Sequence, residues 1–205
     1  MPMASPTPRL DWFPRSSARD DARFLEQWRM ARPTYRRGDE LNGMVWKHDR
    51  HTHLILPQAT HEHFEHAARL LWCYDFYPPE LIEQVSDFSR AGRMLREGDL
   101  IVQRIHVVPA LLDALTAVRI SEVIDEPRRK GLAYVTTQAH FEIGEWWCWV
   151  EQQRDGALTV NIRSISRPGP RLPGWQRGFA RRLQQRAHRE GLAYFARLNL
   201  SAKAV

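Results

Sequence analysis

Residues 174–198 read GWQRGFARRLQQRAHREGLAYFARL. Trp175, Phe179, Leu183 and Ala187 recur at every fourth position, which predicts one long helix with a single apolar stripe. Gly191 interrupts the stripe, at a cost of about 1 kcal/mol relative to alanine. Tyr194, Phe195 and Leu198 resume it. Pro168, Pro170 and Pro173 separate this helix from five strand-like segments: 99–108, 117–125, 132–138, 145–153 and 157–166. Asp155-Gly156 is a hairpin signal between the last two. Residues 109–115 read as a short helical insert. Further upstream, 44–56 alternates like a strand and Pro57 closes it. Thr60 suits an N-cap, followed by Phe64, Ala67, Ala68, Leu71 and Trp72 at helical spacing. A second helix is expected over 79–88, after the Tyr77-Pro78-Pro79 break.

The element order is therefore strand, two helices, five strands and one long helix. An antiparallel sheet with one helix laid across it must bury a face. If the sheet curls around the helix, a cavity forms between them. This is the order of the helix-grip fold shared by START-like and Bet v 1-like proteins, so the expected class is α+β. It predicts a curved antiparallel sheet packed on a long C-terminal helix. The domain spans 41–200. Residues 1–40 form an extension: a flexible Pro/Ser/Arg-rich lead-in, then a short amphipathic helix carrying Phe24, Leu25 and Trp28.

Composition narrows the function classes. The 205 residues are 43% hydrophobic, enough for a core, so wholesale disorder is excluded. No apolar run is long enough to cross a bilayer. Cys73 and Cys148 cannot make a disulfide framework or a four-cysteine zinc site. Residues 1–14 contain no apolar signal core, so a cytoplasmic location is expected. The net charge of +6 comes mostly from arginine. It suits either an arginine-rich solvated surface or an anionic partner.

Residues 131–145, GLAYVTTQAHFEIGE, resemble the G-x-A-Y-G-T-x-x-x-H-x-E-x-G-E pattern of the DUF1990 (UPF0548) family. Asp125-Glu126-Pro127-Arg128-Arg129 resembles the family's preceding turn, and Ser166-Arg167-Pro168 its S-R-P segment. The resemblance runs over about 42–198. It departs at Val135, Gln138 and Trp146, where the family more often has glycine, proline and an acid. The family is largely uncharacterised, so the resemblance implies a fold and no reaction.

Four groups of residues carry candidate chemistry. Tyr134, Thr136, His140, Glu142, Glu145 and Arg167 cluster around one hairpin and are the candidate ligand-binding set. His140 and Glu145 are the candidate acid–base pair. The alternative is that His140 and Glu142 bond backbone groups of the turn while Glu145 pairs with Arg167. Second, six histidines fall between His48 and His66, but without a zinc motif; they read as a solvated face, and no metal or cofactor is expected. Third, Arg163, Arg167, Arg171, Arg177, Arg181, Arg182, Arg186 and Arg189 make the C-terminal region basic. Fourth, Trp147 and Trp149 share one strand face, with Trp146 and Cys148 on the other; one of these faces is interior.

The resulting expectation is a binding module for a small apolar or amphipathic molecule held between sheet and helix. Two other readings stand beside it: an enzyme using His/Glu chemistry in the same pocket, and a peripheral protein docking on an anionic membrane. No specific nucleic acid is expected, and the oligomeric state is not readable.

Overall fold

Alternating β-branched and aromatic residues build the sheet. The computed structural model describes residues 6–12, 18–172 and 174–201. Residues 1–5 and 13–17 of the expected lead-in lie outside these, as does the side chain of Trp175. The strands are β1 Arg9–Trp12, β2 Lys47–Leu56, β3 Ile82–Ser86, β4 Leu100–Val108, β5 Leu112–Glu126, β6 Arg129–Thr136, β7 Glu142–Gln152 and β8 Leu158–Pro168. The helices are α1 Ala18–Gln27, α2 His61–Trp72, the single turn α3 Asp87–Arg90, and α4 Arg177–Ser201.

One antiparallel sheet runs in the order β2-β8-β7-β6-β5-β4-β3, and β1 adds to β5 off this path. Register breaks at Leu54/Leu56, His106/Val108 and Ile120/Glu122 mark bulges, which bend strands and increase twist. The concave face buries Ile101, Val118, Ile120, Leu132, Trp146, Cys148, Val150, Val160 and Ile162. Helix α2 closes one end of it with Phe64, Ala67, Ala68 and Leu71, all fully buried. Thr60 caps α2 as expected, and His63 completes the cap by accepting from the Thr60 N–H at 3.1 Å. This is the curved sheet and long C-terminal helix of the helix-grip class.

Two expected helices are strands. Residues 79–88 make one turn, in which the Leu81 and Ile82 N–H groups donate to the Pro78 carbonyl. The chain then extends as β3 and pairs with β4 from Ile82 to Ser86. The i, i+3 spacing of Ile82 and Val85 fits a helix equally well, and the open side of β4 decides the outcome. Only Asp87 and Phe88 of the 79–88 stretch are helical, in α3, and residues 109–115 contain no helix. Ala110 turns the chain at φ 58, and from Leu112 the backbone is claimed by β4 on one side and β1 on the other.

The convex face is held by buried charge. Arg104, 1% exposed, pairs with Asp21 of α1, with Asp113 of β5 at 2.9 Å and with Asp11 of β1 at 3.5 Å. Leu25 of α1 and Trp28 in the turn after it pack beside this cluster against Val102, Leu115 and Ala117. The N-terminal strand and helix are thereby tied to β4 and β5.

Helix α4 touches the core with its C-terminal half. Leu192, Phe195 and Ala196 are buried, whereas Phe179 is 48% exposed. Gly191 is the point of closest approach, because a Cβ there would overlap the Phe76 ring edge. Phe76 is itself 1% exposed and wedged against Tyr77, Trp146 and Phe195. Gly191→Ala should therefore destabilise the protein. Overpacking of about 1–3 kcal/mol outweighs the gain of about 1 kcal/mol in helix propensity. A lower urea midpoint checks this; a raised midpoint would show that Phe76 yields freely.

Candidate functional site

Because α4 is anchored at one end, its first turns stand away from the sheet. The gap is a cavity of about 400 Å³. Its apolar wall is formed by Tyr77, Ile82, Ile105, Val107, Leu112, Ala114 and Trp146 from the sheet side and by Phe179, Ala180, Leu183 and Ala187 from α4. Leu10 and Trp12 of β1 reach the rim, Trp12 being 62% exposed.

The β6–β7 connection supplies the polar end. The Thr137 hydroxyl donates to the Ala117 carbonyl at 2.8 Å and receives the Ala139 N–H, which pins the loop. Gly144 allows β7 to lie close to β8, since a Cβ there would sit 2.8 Å from the Ser166 Cα. Two residues earlier, the Glu142 backbone N–H donates to His140 Nδ1 at 2.9 Å. Nδ1 also lies 3.2 Å from the Glu142 carbonyl, but the shorter contact is with the N–H, which can only donate, so it favours Nδ1 as the acceptor with the ring proton on Nε2. Nε2–H bonds no group among the described residues, and His140 lines the cavity. Burial pushes the His140 pKa down to about 4, so the ring is neutral at physiological pH.

Glu142 also lines the cavity, and its carboxyl has no hydrogen bond or ion pair among the described residues. Burial raises its pKa to about 7, partly opposed by the charge of Arg181 and reinforced by that of Asp49. Tyr134 stacks on Trp146 with centroids 4.9 Å apart, and burial pushes its hydroxyl up to about 12. Thr136 lies in the wall, but its hydroxyl is engaged by the Thr34 hydroxyl at 2.9 Å and the Gly144 N–H at 2.9 Å.

The other two expected residues are directed elsewhere. The Glu145 carboxylate lies on the convex face, where Arg37 at 3.2 Å and the Ser121 hydroxyl at 3.2 Å donate to it. Arg167 is on the same convex face, its guanidinium 5.2 Å from the Trp46 ring centroid. Neither pairs with the other, and the His140–Glu145 acid–base pair is not assembled. Trp147 is likewise convex, under Arg37 and Arg163, and Trp146 is the interior tryptophan.

A second polar group was not foreseen. The Asp49 carboxylate pairs with Arg181 of α4 and accepts from the Ser164 hydroxyl at 3.2 Å. Arg181 also donates to Gln184 at 2.6 Å, and Gln184 donates to the Ser166 hydroxyl at 3.1 Å. Burial acts to raise the Asp49 pKa, but the Arg181 pairing outweighs it and leaves the pKa lowered. Nearby, His188 is 2% exposed and its Nδ1 has no partner. Its ring meets His51 edge-on at 5.4 Å, and burial pushes its pKa down to about 4. The available signal was the alternation of β2, which places Asp49 and His51 on one face. Among the described residues, no group of three or more histidine, cysteine or acidic side chains is arranged to hold a metal. No helix among them is long and apolar enough to cross a membrane.

Residues 34–193 match the model of a family described as a domain of unknown function, DUF1990. No curated protein matches the chain. Among solved structures, the chain is similar to the di-domain ARO/CYC StfQ of the steffimycin biosynthetic pathway, with a TM-score of 0.52 and 10% identity. That match covers 94% of this chain and 63% of the StfQ chain, so the chain spans less than two thirds of its length. It is also similar to Ara h 8.0201 (TM-score 0.49, 13% identity, 77% and 99% of the two chains). The ZhuI aromatase/cyclase of Streptomyces sp. R1128 gives a TM-score of 0.47 at 16% identity, over 76% and 94%. At these identities the likeness to StfQ establishes the helix-grip fold alone.

The unusual protonation of the polar end should be visible in stability. Between pH 4.5 and 7 the folded chain keeps a proton on Glu142 that the unfolded chain has lost. Its contribution therefore falls as pH rises through that window. His140 and His188 act oppositely: between pH 4 and 6.5 the unfolded chain binds protons that they refuse, so their contribution rises with pH. Glu142→Gln removes the first effect and leaves the second. Urea titrations should show the variant gaining about 1–3 kcal/mol on wild type between pH 5 and 8. A pH-independent difference would mean that Glu142 titrates as an ordinary carboxyl.

Proposed function

The chain belongs to the DUF1990 family, and we propose that it binds a small amphipathic molecule in the cavity between the sheet and α4. The observation that carries this reading is a mostly apolar chamber with two polar groups at one end, His140 Nε2 and the Glu142 carboxyl, that have no partner among the described residues. Both side chains are partly exposed and open to water, and a ligand group that reproduces water's hydrogen bonds there can displace it. A ligand with one hydrogen-bonding end satisfies both, while its apolar body takes contact area from Trp146, Ile105 and Leu183. A chamber of about 400 Å³ lies within the range of small-molecule sites. Entry is favoured beside Phe179 and Trp12, two large apolar side chains left exposed at the rim.

A competing occupant would be the protein's own side chains, so the test is to fill the space. Ala114, 6% exposed, lines the chamber from β5. The amphipathic fluorescent dye 1-anilinonaphthalene-8-sulfonate should bind wild type at one site, with enhanced dye emission and quenched tryptophan fluorescence. Ala114→Phe should weaken that binding at least tenfold while leaving the circular dichroism spectrum unchanged. Undiminished dye binding by a folded Ala114→Phe variant would place the dye elsewhere and sink the reading.

A further inference from the structure

The polar end of the cavity holds two groups with complementary and fixed roles. His140 keeps Nδ1 on the Glu142 backbone, with the N–H contact the shorter, which leaves Nε2 as its free nitrogen. Glu142, two residues on, presents a carboxyl that no group among the described residues bonds. Both belong to one turn, and both line the chamber that the apolar wall keeps largely free of competing polar groups. A neutral imidazole N–H is suited to polarise a carbonyl oxygen, and a carboxylate beside it to remove a proton from the adjacent carbon.

We propose that this turn is a proton-transfer site acting on an enolisable carbonyl compound, with Glu142 as the base and His140 as the hydrogen-bond donor to the carbonyl oxygen. The inference rests on the binding reading and adds to it the class of molecule and what happens to it. The carbonyl oxygen of an apolar ketone accepts from His140 Nε2–H. A Glu142 carboxylate oxygen takes the proton from the α-carbon. The C–H electron pair becomes the C=C bond, and the carbonyl π pair moves to oxygen, giving an enolate held by the His140 hydrogen bond. Return of a proton from Glu142 to the same carbon restores the ketone, so no oxidant, reductant or second reactant is consumed.

The environment suits both groups. His140 stays neutral because burial opposes its protonation, so it donates without delivering a cation that would bind Glu142 in an ion pair. Glu142, at about 7, is ionised in part of the molecules at neutral pH and is basic enough to accept a proton. The charged and titratable groups that face this end are Asp49 from β2, Tyr134 from β6 and Arg181 and His188 from α4, besides His140 itself. Arg181 is committed to Asp49, which leaves the Glu142 carboxylate without a direct cation.

The experiment is deuterium exchange at the α-carbons of 2-tetralone and of 1-phenylbutane-1,3-dione in D₂O, followed by proton NMR with the full chain. Wild type is expected to accelerate exchange of at least one of these over buffer. The rate should rise with pH as Glu142 ionises and level off above about pH 8. Glu142→Gln should lose at least about 100-fold, and His140→Phe about 10-fold or more. Binding of the same ketones, read by displacement of the dye, should persist in Glu142→Gln. Ketone binding by wild type without accelerated exchange overturns the proposal and leaves the binding reading standing. Equal exchange by wild type and Glu142→Gln also overturns it, as does dye binding with no ketone bound. Loss of dye and ketone binding together would overturn the binding reading as well.

Discussion

The approach of α4 to Phe76 at Gly191 sets the shape of everything around it. With no side chain at that position, the helix settles against a ring that is itself locked by Tyr77, Trp146 and Phe195. Core contacts therefore concentrate in the C-terminal half. The N-terminal half is held instead by polar reach, through Arg181 to Asp49 on β2 and Gln184 to Ser166 on β8. A helix anchored by packing at one end and by long side chains at the other encloses space between them. The cavity is thus a product of how the helix is fastened, and the bulged, curved sheet supplies its floor.

That enclosed space decides the charge state of what faces it. Desolvation disfavours whichever form is ionised, so it pushes acids up and bases down. Along this wall Glu142 moves up and both His140 and His188 move down. Asp49 escapes the trend because it has a cation of its own. The same physics yields a nearly uncharged polar end and one tightly paired clamp, separated by a few residues of β-structure.

Much of the architecture was legible because it depends on periodicity. The alternation of β6 to β8, the stripe of α2 and the length of α4 all appear in the residue pattern. The β3 and early β5 segments were not legible, since Ile82, Val85 and Leu112 fit either period and only neighbouring strands decide. The site was half legible. The pattern 131–145 located the right hairpin and included His140, Glu142, Tyr134 and Thr136. It could not separate Glu142 from Glu145, because a strand taken to start at Glu145 assigns no face to residue 142. Once β7 begins at Glu142, alternation puts 142 and 146 inside and 145 and 147 outside. Arg167 follows the same logic on β8. The Asp49–Arg181 clamp joins residues 132 positions apart, and no local spacing reports such a pair.

The histidine-rich stretch, which no ligand geometry explains, acquires a different meaning from its place in the sheet. Strand β2 ends the strand order, so one side of its backbone has no neighbouring strand in the sheet. Lys47, His48, Arg50 and His53 stand exposed along it. Any strand from another molecule seeking to extend the sheet there must settle beside this hydrated, basic row and against an identical row if the newcomer is a second copy. Long polar side chains on a bare edge are a recognised guard against such growth. The composition of β2 thus disfavours polymerisation through this edge of the sheet.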